Sequence, residues 1–253
     1  MLFAVDIGNS TIVLAINDGN RWKEIWKIHT DTKKTSDEYY LDLKEMSSSL
    51  GIGSLDIDKA IISSVVPALT LVFGKVCFKL FGIKALIVDS KTVSGLDRST
   101  IPEELGSDIL CDLVAAHGLY PDCNATVLDF GTALTVSTVS PDGKVLGVAI
   151  APGLITSVNA LAGNTAQLPF IELKQPETVL GRNSIQSIRA GILFGFAGLV
   201  ESLIKRTETE ISAPVKVIAT GGLCMTISPM ISRLDHVDKN HTLNGLKIIS
   251  DLN

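Results

Sequence analysis

The sequence predicts an α/β protein of two related halves, each a mixed β-sheet flanked by helices. Three observations lead there. First, Val5-Asp6-Ile7-Gly8-Asn9-Ser10-Thr11 is echoed by Leu128-Asp129-Phe130-Gly131-Thr132-Ala133-Leu134-Thr135. In each stretch an apolar run ends in Asp, passes through one apolar residue to Gly and a small polar residue, and enters a second apolar run. That run closes on an Asp-Gly turn, Asp18-Gly19 or Asp142-Gly143. The pattern reads as a β-hairpin presenting a carboxylate, a glycine and hydroxyls at its tip. Second, the two aspartates stand about half a chain length apart, as duplication would place them. Third, both hairpins lead into alternating helix and strand segments. A cleft between such halves is a place for a nucleotide.

Taken in order, residues 2–7 and 11–17 are strands, and Arg21 to His29 is a third, with Trp22, Trp26 and Ile28 on one face by twofold spacing. Ser36 to Leu50 is helical, with Ser36 as the cap, Asp37 and Glu38 at the positive end, and Tyr40, Leu41, Leu43 and Met46 as an imperfect apolar face. Lys59 to Val66, stopped by Pro67, and Ala85 to Val88 are buried strands with a helix between them, the signature of a parallel pair. Polar residues 91–107, broken by Gly95, Pro102 and Gly106, read as the linker, setting the halves at 1–106 and 107–253. Asp108 to His117 is helical. Strands follow at 124–129, 134–140 and 144–151, then a long helix from Ser184 to Lys205 with Ile185, Ile188, Ile192, Phe196, Leu199 and Leu203 as its stripe. Gly191, Gly195 and Gly198 weaken that helix and permit close approach of another backbone. Val215 to Ala219 is a strand leading into Thr220-Gly221-Gly222, and the tail beyond Asp238-Lys239-Asn240 is expected to be loop.

With 46% hydrophobic residues among 253 and a mean hydropathy of +0.35, the chain has ample material for buried cores. A net charge of −5, with no basic block longer than Lys33-Lys34, argues against a nucleic-acid partner. Met1 to Val5 run straight into Asp6 without a basic leader or a long apolar core, so neither a secretion signal nor a membrane span is expected there, and a cytoplasmic location is. Cys77, Cys111, Cys123 and Cys224 have no close pairs and no zinc-type His spacing, which predicts buried free thiols.

The first motif has a chemical logic. A glycine after a strand lets phosphate oxygens approach the main chain, and Asn9, Ser10 and Thr11 supply donors. Asp6 would orient magnesium against the same phosphates through water. Taken alone, the pattern also fits an Asx-type turn. Thr220-Gly221-Gly222 allows a base or ribose to lie against bare main chain, though an ordinary strand-to-helix loop looks alike.

Together the motifs resemble the acetate and sugar kinase, Hsc70 and actin superfamily, whose two ribonuclease-H-like lobes hold a nucleotide in the cleft between them. A narrower resemblance is to type III pantothenate kinases. It rests on Asp6-Ile7-Gly8-Asn9-Ser10, Ile62-Ser63-Ser64-Val65-Val66-Pro67, Pro102-Glu103-Glu104-Leu105-Gly106-Ser107-Asp108, Asp129-Phe130-Gly131-Thr132-Ala133, Ala149-Ile150-Ala151-Pro152-Gly153 and Ala219-Thr220-Gly221-Gly222-Leu223, in that order over about residues 1–225. The resemblance implies transfer of the γ-phosphoryl of ATP to pantothenate, with Asp108 as the catalytic base. It implies nucleotide contacts at Asp6, Ile7, Gly8, Asn9, Ser10, Thr11, Ile12, Val13 and Thr132, to which the Gly221-Gly222 turn is added. Pantothenate contacts are implied at Gly106, Ser107, Asp108, Ile109 and Ser184, and a monovalent cation, potassium or ammonium, at Asp129. Mg2+ and a homodimer that completes the pantothenate site are implied as well.

On the residues alone, an acid in a first helical turn, a turn carboxylate and a helix cap account equally for Asp108, Asp129 and Ser184. The helix start also predicts an ionised Asp108 of ordinary pKa. Two departures from the family pattern stand out. Ile109 replaces the usual Arg after the catalytic Asp, a loss of about 1.5–3 kcal/mol of charged hydrogen bonding to a substrate carboxylate. Lys91, Arg98, Arg182 and Arg189 are candidate substitutes. Leu134 stands where a second hydroxyl is usual. The competing readings are a nucleotide-binding regulator that has lost turnover and a phosphotransferase acting on another small alcohol.

Overall fold

The computed structural model describes residues 1–48, 56–163 and 171–253. The chain forms two compact units, one of Met1–Ala115 with Thr242–Asn253 and one of Ala116–His241. This division differs from the expected boundary after residue 106. Residues 91–107 belong to the first unit, and so does the start of the helix that follows them.

The first unit holds β1 (Leu2–Ile7), β2 (Thr11–Asn17), β3 (Trp22–His29), α1 (Ser36–Ser48), β4 (Lys59–Ser64), α2 (Pro67–Phe81), β5 (Leu86–Ile87) and the start of α3 (Ser107–Leu119). Its sheet runs β3-β2-β1-β4-β5, antiparallel through the hairpins and parallel from β1 to β4 and β5. Pro67, expected to stop the strand before it, also opens α2, where its missing N–H is no loss.

Two sequence readings fail here for local reasons. A bulge sets Glu24 opposite Ile16 but Trp22 opposite Asn17, and the extra residue reverses the alternation of faces. Trp26 and Ile28 therefore pack with α1 and α2, while Trp22 joins Ile25 on the other face and donates its indole N–H to Asn244 at 2.8 Å. In α1 the cap is Thr35, not Ser36. Its N–H donates to Glu38 Oε2 at 2.7 Å while the Glu38 N–H donates back to the Thr35 hydroxyl at 3.3 Å, a capping box. The buried face is Tyr39 and Leu43, with Leu41 exposed. Residues 49 and 50 of the predicted helix lie outside the described residues.

In the second unit, β6 (Asn124–Phe130), β7 (Ala133–Val139) and β8 (Val145–Pro152) precede α4 (Leu154–Gly163), α5 (Ser184–Ile211), β9 (Val215–Thr220), α6 (Cys224–Ile227) and β10 (His236–Val237). The sheet order β8-β7-β6-β9-β10 repeats that of the first unit strand for strand. The duplication inferred from the two motifs is a duplication of topology.

Among the described residues α5 is the one helix long and apolar enough to cross a bilayer. It buries Ala190, Leu193, Phe196, Ala197, Val200 and Ile204 against Leu128, Phe130, Val217 and Ala219 of its own unit, so it is a core helix. Space lies open around Gly191, Gly195 and Gly198, so the predicted close backbone packing there is not realised among the described residues. All four cysteines are free, three buried and Cys123 partly exposed.

The tail is a helix, α7 (His241–Leu252), rather than the expected loop, and it returns to the first unit. Leu243, Leu246 and Ile249 pack with Leu110, Cys111 and Val114 of α3 on Leu2, Ala4, Ala15 and Ile61 of the sheet. The helices meet so closely that a Cβ on Gly245 would run into the Cys111 carbonyl. The first sheet is thus covered by α1 and α2 on one face and by α3 and α7 on the other.

Candidate active site

In the first unit Asp6 is paired with Val13 of β2 and, across the parallel ladder, with Ser63 of β4. The Gly8-Asn9-Ser10 tip closes through the Gly8 N–H donating to the Thr11 carbonyl at 3.0 Å, and Asn9, Ser10 and Thr11 are exposed. Ile7 and Ile12 are fully buried in the core, so only their main chain is available to a ligand. Val13 packs toward the opposite cluster.

A chain of hydroxyls joins this tip to α3. Ser63 Oγ donates to Asp6 Oδ1 at 3.0 Å and lies 3.0 Å from Ser107 Oγ, which accepts the Ser64 N–H at 2.7 Å. With the Ser63 proton on Asp6, Ser107 is left to donate to Ser63. Asp108 follows, its Oδ1 accepting the Ile109 N–H at 2.8 Å, and Gly106 gives that carboxylate room, since a Cβ there would sit 2.5 Å from the same oxygen.

Asp6 is half-buried by exposed area, yet protein crowds its carboxyl. Burial first, and the charge of Asp108 second, push its pKa up to about 7 against the smaller pull of the Ser63 hydrogen bond. Burial also raises Asp108, outweighing the backbone donors at its helix start, so the expected ordinary pKa is overturned by desolvation. Two carboxylates that resist ionising side by side form a place where added positive charge is favoured. Ile109, the departure from the family pattern, is buried at 6% exposure. Of its candidate substitutes, Arg98 donates to the Val93 carbonyl at 2.7 Å and Arg189 to the Glu172 carbonyl at 3.1 and 3.0 Å.

The second unit builds a related tip, shorter by one residue. Asp129 is paired with Thr135 of β7 and Thr220 of β9, and the Gly131 N–H donates to the Ala133 carbonyl at 3.1 Å. Thr132 is exposed, whereas Leu134 is fully buried as a core residue. Gly221 has φ +91°, and a Cβ there would run into Asp129 Oδ1 and the Phe130 main chain. Gly222 has open space around it. Among the described residues the buried Thr220 hydroxyl has no hydrogen-bond partner. Ser184 is exposed at the start of α5. Capping there falls to Asn183, whose Oδ1 accepts the Gln186 N–H at 2.9 Å, rather than to Ser184.

Paired aspartate hairpins on duplicated sheets define the class, the acetate and sugar kinase, Hsc70 and actin fold. Solved structures agree on that fold: a candidate 2-dehydro-3-deoxygalactonokinase from Sinorhizobium meliloti superposes with TM-score 0.61 at 12% identity, covering 100% of this chain and 99% of its own. The activator of 2-hydroxyisocaproyl-CoA dehydratase from Clostridium difficile, with bound ADPNP, gives TM-score 0.58 at 14% identity over 98% of this chain and 92% of its own.

Sequence comparison is narrower. The family model for type III pantothenate kinase matches residues 2–206. The chain is 40% identical to a type III pantothenate kinase of Geobacillus sp. (strain WCH70), over 100% of this chain and 98% of the relative. It is 41% identical to one from Brevibacillus brevis, over 100% and 99%. The chain belongs to the type III pantothenate kinase family, and with that membership it is an enzyme that uses ATP.

Sequence reasoning missed that Ser63 and Thr220 stand beside the two aspartates on the parallel strands, Ser63 bonding Asp6. The signal was present in the parallel strands, but pairing them needs the register.

Proposed function

We propose that the protein transfers the γ-phosphoryl group of ATP to the primary hydroxyl of pantothenate, giving 4'-phosphopantothenate, the first step of coenzyme A synthesis. The observation that carries this reading is the charge of Asp108 acting on Asp6, whose carboxyl is bonded through Ser63 to Ser107, the residue before Asp108, in a chain of this family. Asp108 accepts the hydroxyl proton, and its raised pKa makes it a stronger base than an exposed aspartate, matched to work nearer neutral pH. Phosphoryl transfer has a loose transition state, so alignment and charge neutralisation contribute more than the base.

Asp6 through Val13 and Thr132 supply the nucleotide contacts, with Gly221-Gly222 beside them. Gly106, Ser107, Asp108, Ile109 and Ser184 supply those to pantothenate. Asp6 fits Mg2+ held through water, because a divalent charge relieves the cost of ionising Asp6 beside Asp108. Asp129 with the unpartnered Thr220 hydroxyl offers oxygen ligands to K+ or NH4+. These ions neutralise phosphate charge when bound. In this reading the enzyme acts in the cytoplasm as a homodimer. The buried face of α5 is not the expected stripe: of that stripe only Phe196 is buried, Ile188, Ile192, Leu199 and Leu203 are partly buried against the same core, and Ile185 is exposed. The dimer rests on the family together with this partly exposed stripe, and light scattering that finds only monomer at micromolar concentration removes it.

The test is an assay of purified protein with ATP, Mg2+ and K+ against pantothenate and a panel of small alcohols. Phosphopantothenate should form, and should be lost in Asp108→Asn while ATP binding is retained. Transfer to a different alcohol, or ATP binding without transfer to any acceptor, overturns the proposal.

A further inference from the structure

We propose that Thr30 and Thr156, one in each unit, are positioning residues that hold the two nucleotide-binding tips open to phosphate by hydrogen-bonding their main-chain carbonyls. The proposal rests on the nucleotide reading of those tips. Thr30 is the residue after β3. Its N–H donates to the Ser10 carbonyl at 3.2 Å and its hydroxyl to the Gly8 carbonyl at 2.6 Å. The corresponding place after β8 is taken by Gly153, whose N–H donates to the Thr132 carbonyl at 3.1 Å. A threonine is impossible there, because a Cβ would run into the Gly131 and Thr132 carbonyls. The hydroxyl arrives instead from Thr156 in the first turn of α4, donating to that same Thr132 carbonyl at 2.6 Å. Two units with different local sequences thus each place a main-chain bond and a short hydroxyl bond on the tip, onto two carbonyls, Ser10 and Gly8, in the first and onto the single Thr132 carbonyl in the second.

The consequence for ligand binding follows from the peptide unit. Among the described residues no peptide bond is cis, so each carbonyl points opposite to the N–H of the next residue. Anchoring the Gly8 carbonyl on Thr30 therefore aims the Asn9 N–H away from that anchor, and anchoring Thr132 on Thr156 does the same for Ala133. A main-chain N–H fixed in this way is held ready for an anion, and fixing it before binding removes an ordering cost. In the first unit the anchor is itself fixed: the buried Tyr39 hydroxyl bonds both the N–H and the carbonyl of Asp31, at 3.1 and 3.0 Å.

The experiment measures ATP affinity by calorimetry, together with the KM for ATP, the KM for pantothenate and kcat, in Thr30→Val, Thr156→Val and the hydroxyl-retaining Thr30→Ser and Thr156→Ser. Each Val variant should weaken ATP binding about fivefold to twentyfold, with the KM for ATP rising in step and the KM for pantothenate nearly unchanged, and each Ser variant should recover most of the loss. Thr156 is exposed, so its variants keep the test open even where Thr30→Val does not fold. Folded Val variants with wild-type ATP affinity overturn the proposal, as do Ser variants no better than Val. ATP binding without phosphopantothenate overturns the catalytic reading while leaving the threonine comparison measurable. Wild-type protein without ATP affinity overturns both.

Discussion

The two tips share a scaffold and differ in what reaches them. In each, an aspartate ends the central strand with a hydroxyl residue beside it on the parallel neighbour, Ser63 for Asp6 and Thr220 for Asp129. Ser63 bonds Asp6 and leads to Ser107, next to a second carboxylate in sequence, whereas the Thr220 hydroxyl is buried without a partner among the described residues. The difference comes from the helix after the fifth strand. In the first unit that helix is α3, bringing Asp108. Its counterpart after β10 is α7, which belongs to the first unit, so the second tip gains no such acid from it. Topology fixes where aspartate and hydroxyl meet, and the placement of one helix decides which tip gains a second carboxylate from it.

That contrast yields measurements, the largest effect first. Asp108→Asn should lower kcat by about 10²–10⁴ with ATP affinity held within about twofold, whereas Asp129→Asn should leave a rate that added K+ no longer stimulates. Steady-state kinetics with varied K+ separates the two. Gly221→Ala, forced into a left-handed conformation against Asp129, should destabilise the fold by about 2–4 kcal/mol in urea unfolding. Gly8→Ala, where the added carbon sits 3.1 Å from the Thr11 carbonyl, should do less.

The pH dependence separates the tips further. Asp6 holds a proton in the folded state up to about pH 7 that the unfolded chain loses near 3.8, so its contribution to stability is complete below the lower value and is lost as pH rises through the upper one. Metal-free protein should therefore lose stability between these values, by no more than about 1.4 kcal/mol per pH unit, and Asp6→Asn should flatten the slope. Unfolding in chelator across that range tests it. Ser63→Ala should destabilise by about 1–3 kcal/mol through an unsatisfied Asp6, while Thr220→Val should be within about 0.5 kcal/mol of neutral because it removes no protein hydrogen bond. Equal losses at the two positions would break the comparison.

Much of this was legible in the chain. Twofold apolar spacing, Asp-Gly turns and the repeated tips carried the hairpins, the parallel strands and the duplicated order, because those signals are local. Readings failed where a distant neighbour decided the outcome. A single extra residue in β3 turned Trp22 to the other face. Asp108 sits at a helix start that favours its charge, yet burial prevails. In α7, Asn244 and Gly245 are poor helix formers, and the glycine is there for the sake of Cys111 on another helix, so packing stabilises what propensity does not. Thr30 and Thr156 escaped notice because one brace comes from a strand end and the other from three residues further on, an equivalence visible only in three dimensions.

The return of α7 gives synthesis an unusual order. Residues 1–115 leave the ribosome before residues 116–241, but the face of their sheet made by Leu2, Ala4, Ala15 and Ile61 stays partly uncovered until residues 242–253 emerge. The unit translated second is complete before the one translated first. A chain ended after Asn240 should accordingly collect as aggregate through that unsealed face, and soluble, monodisperse protein from such a truncation would show that the first unit can close without its last helix.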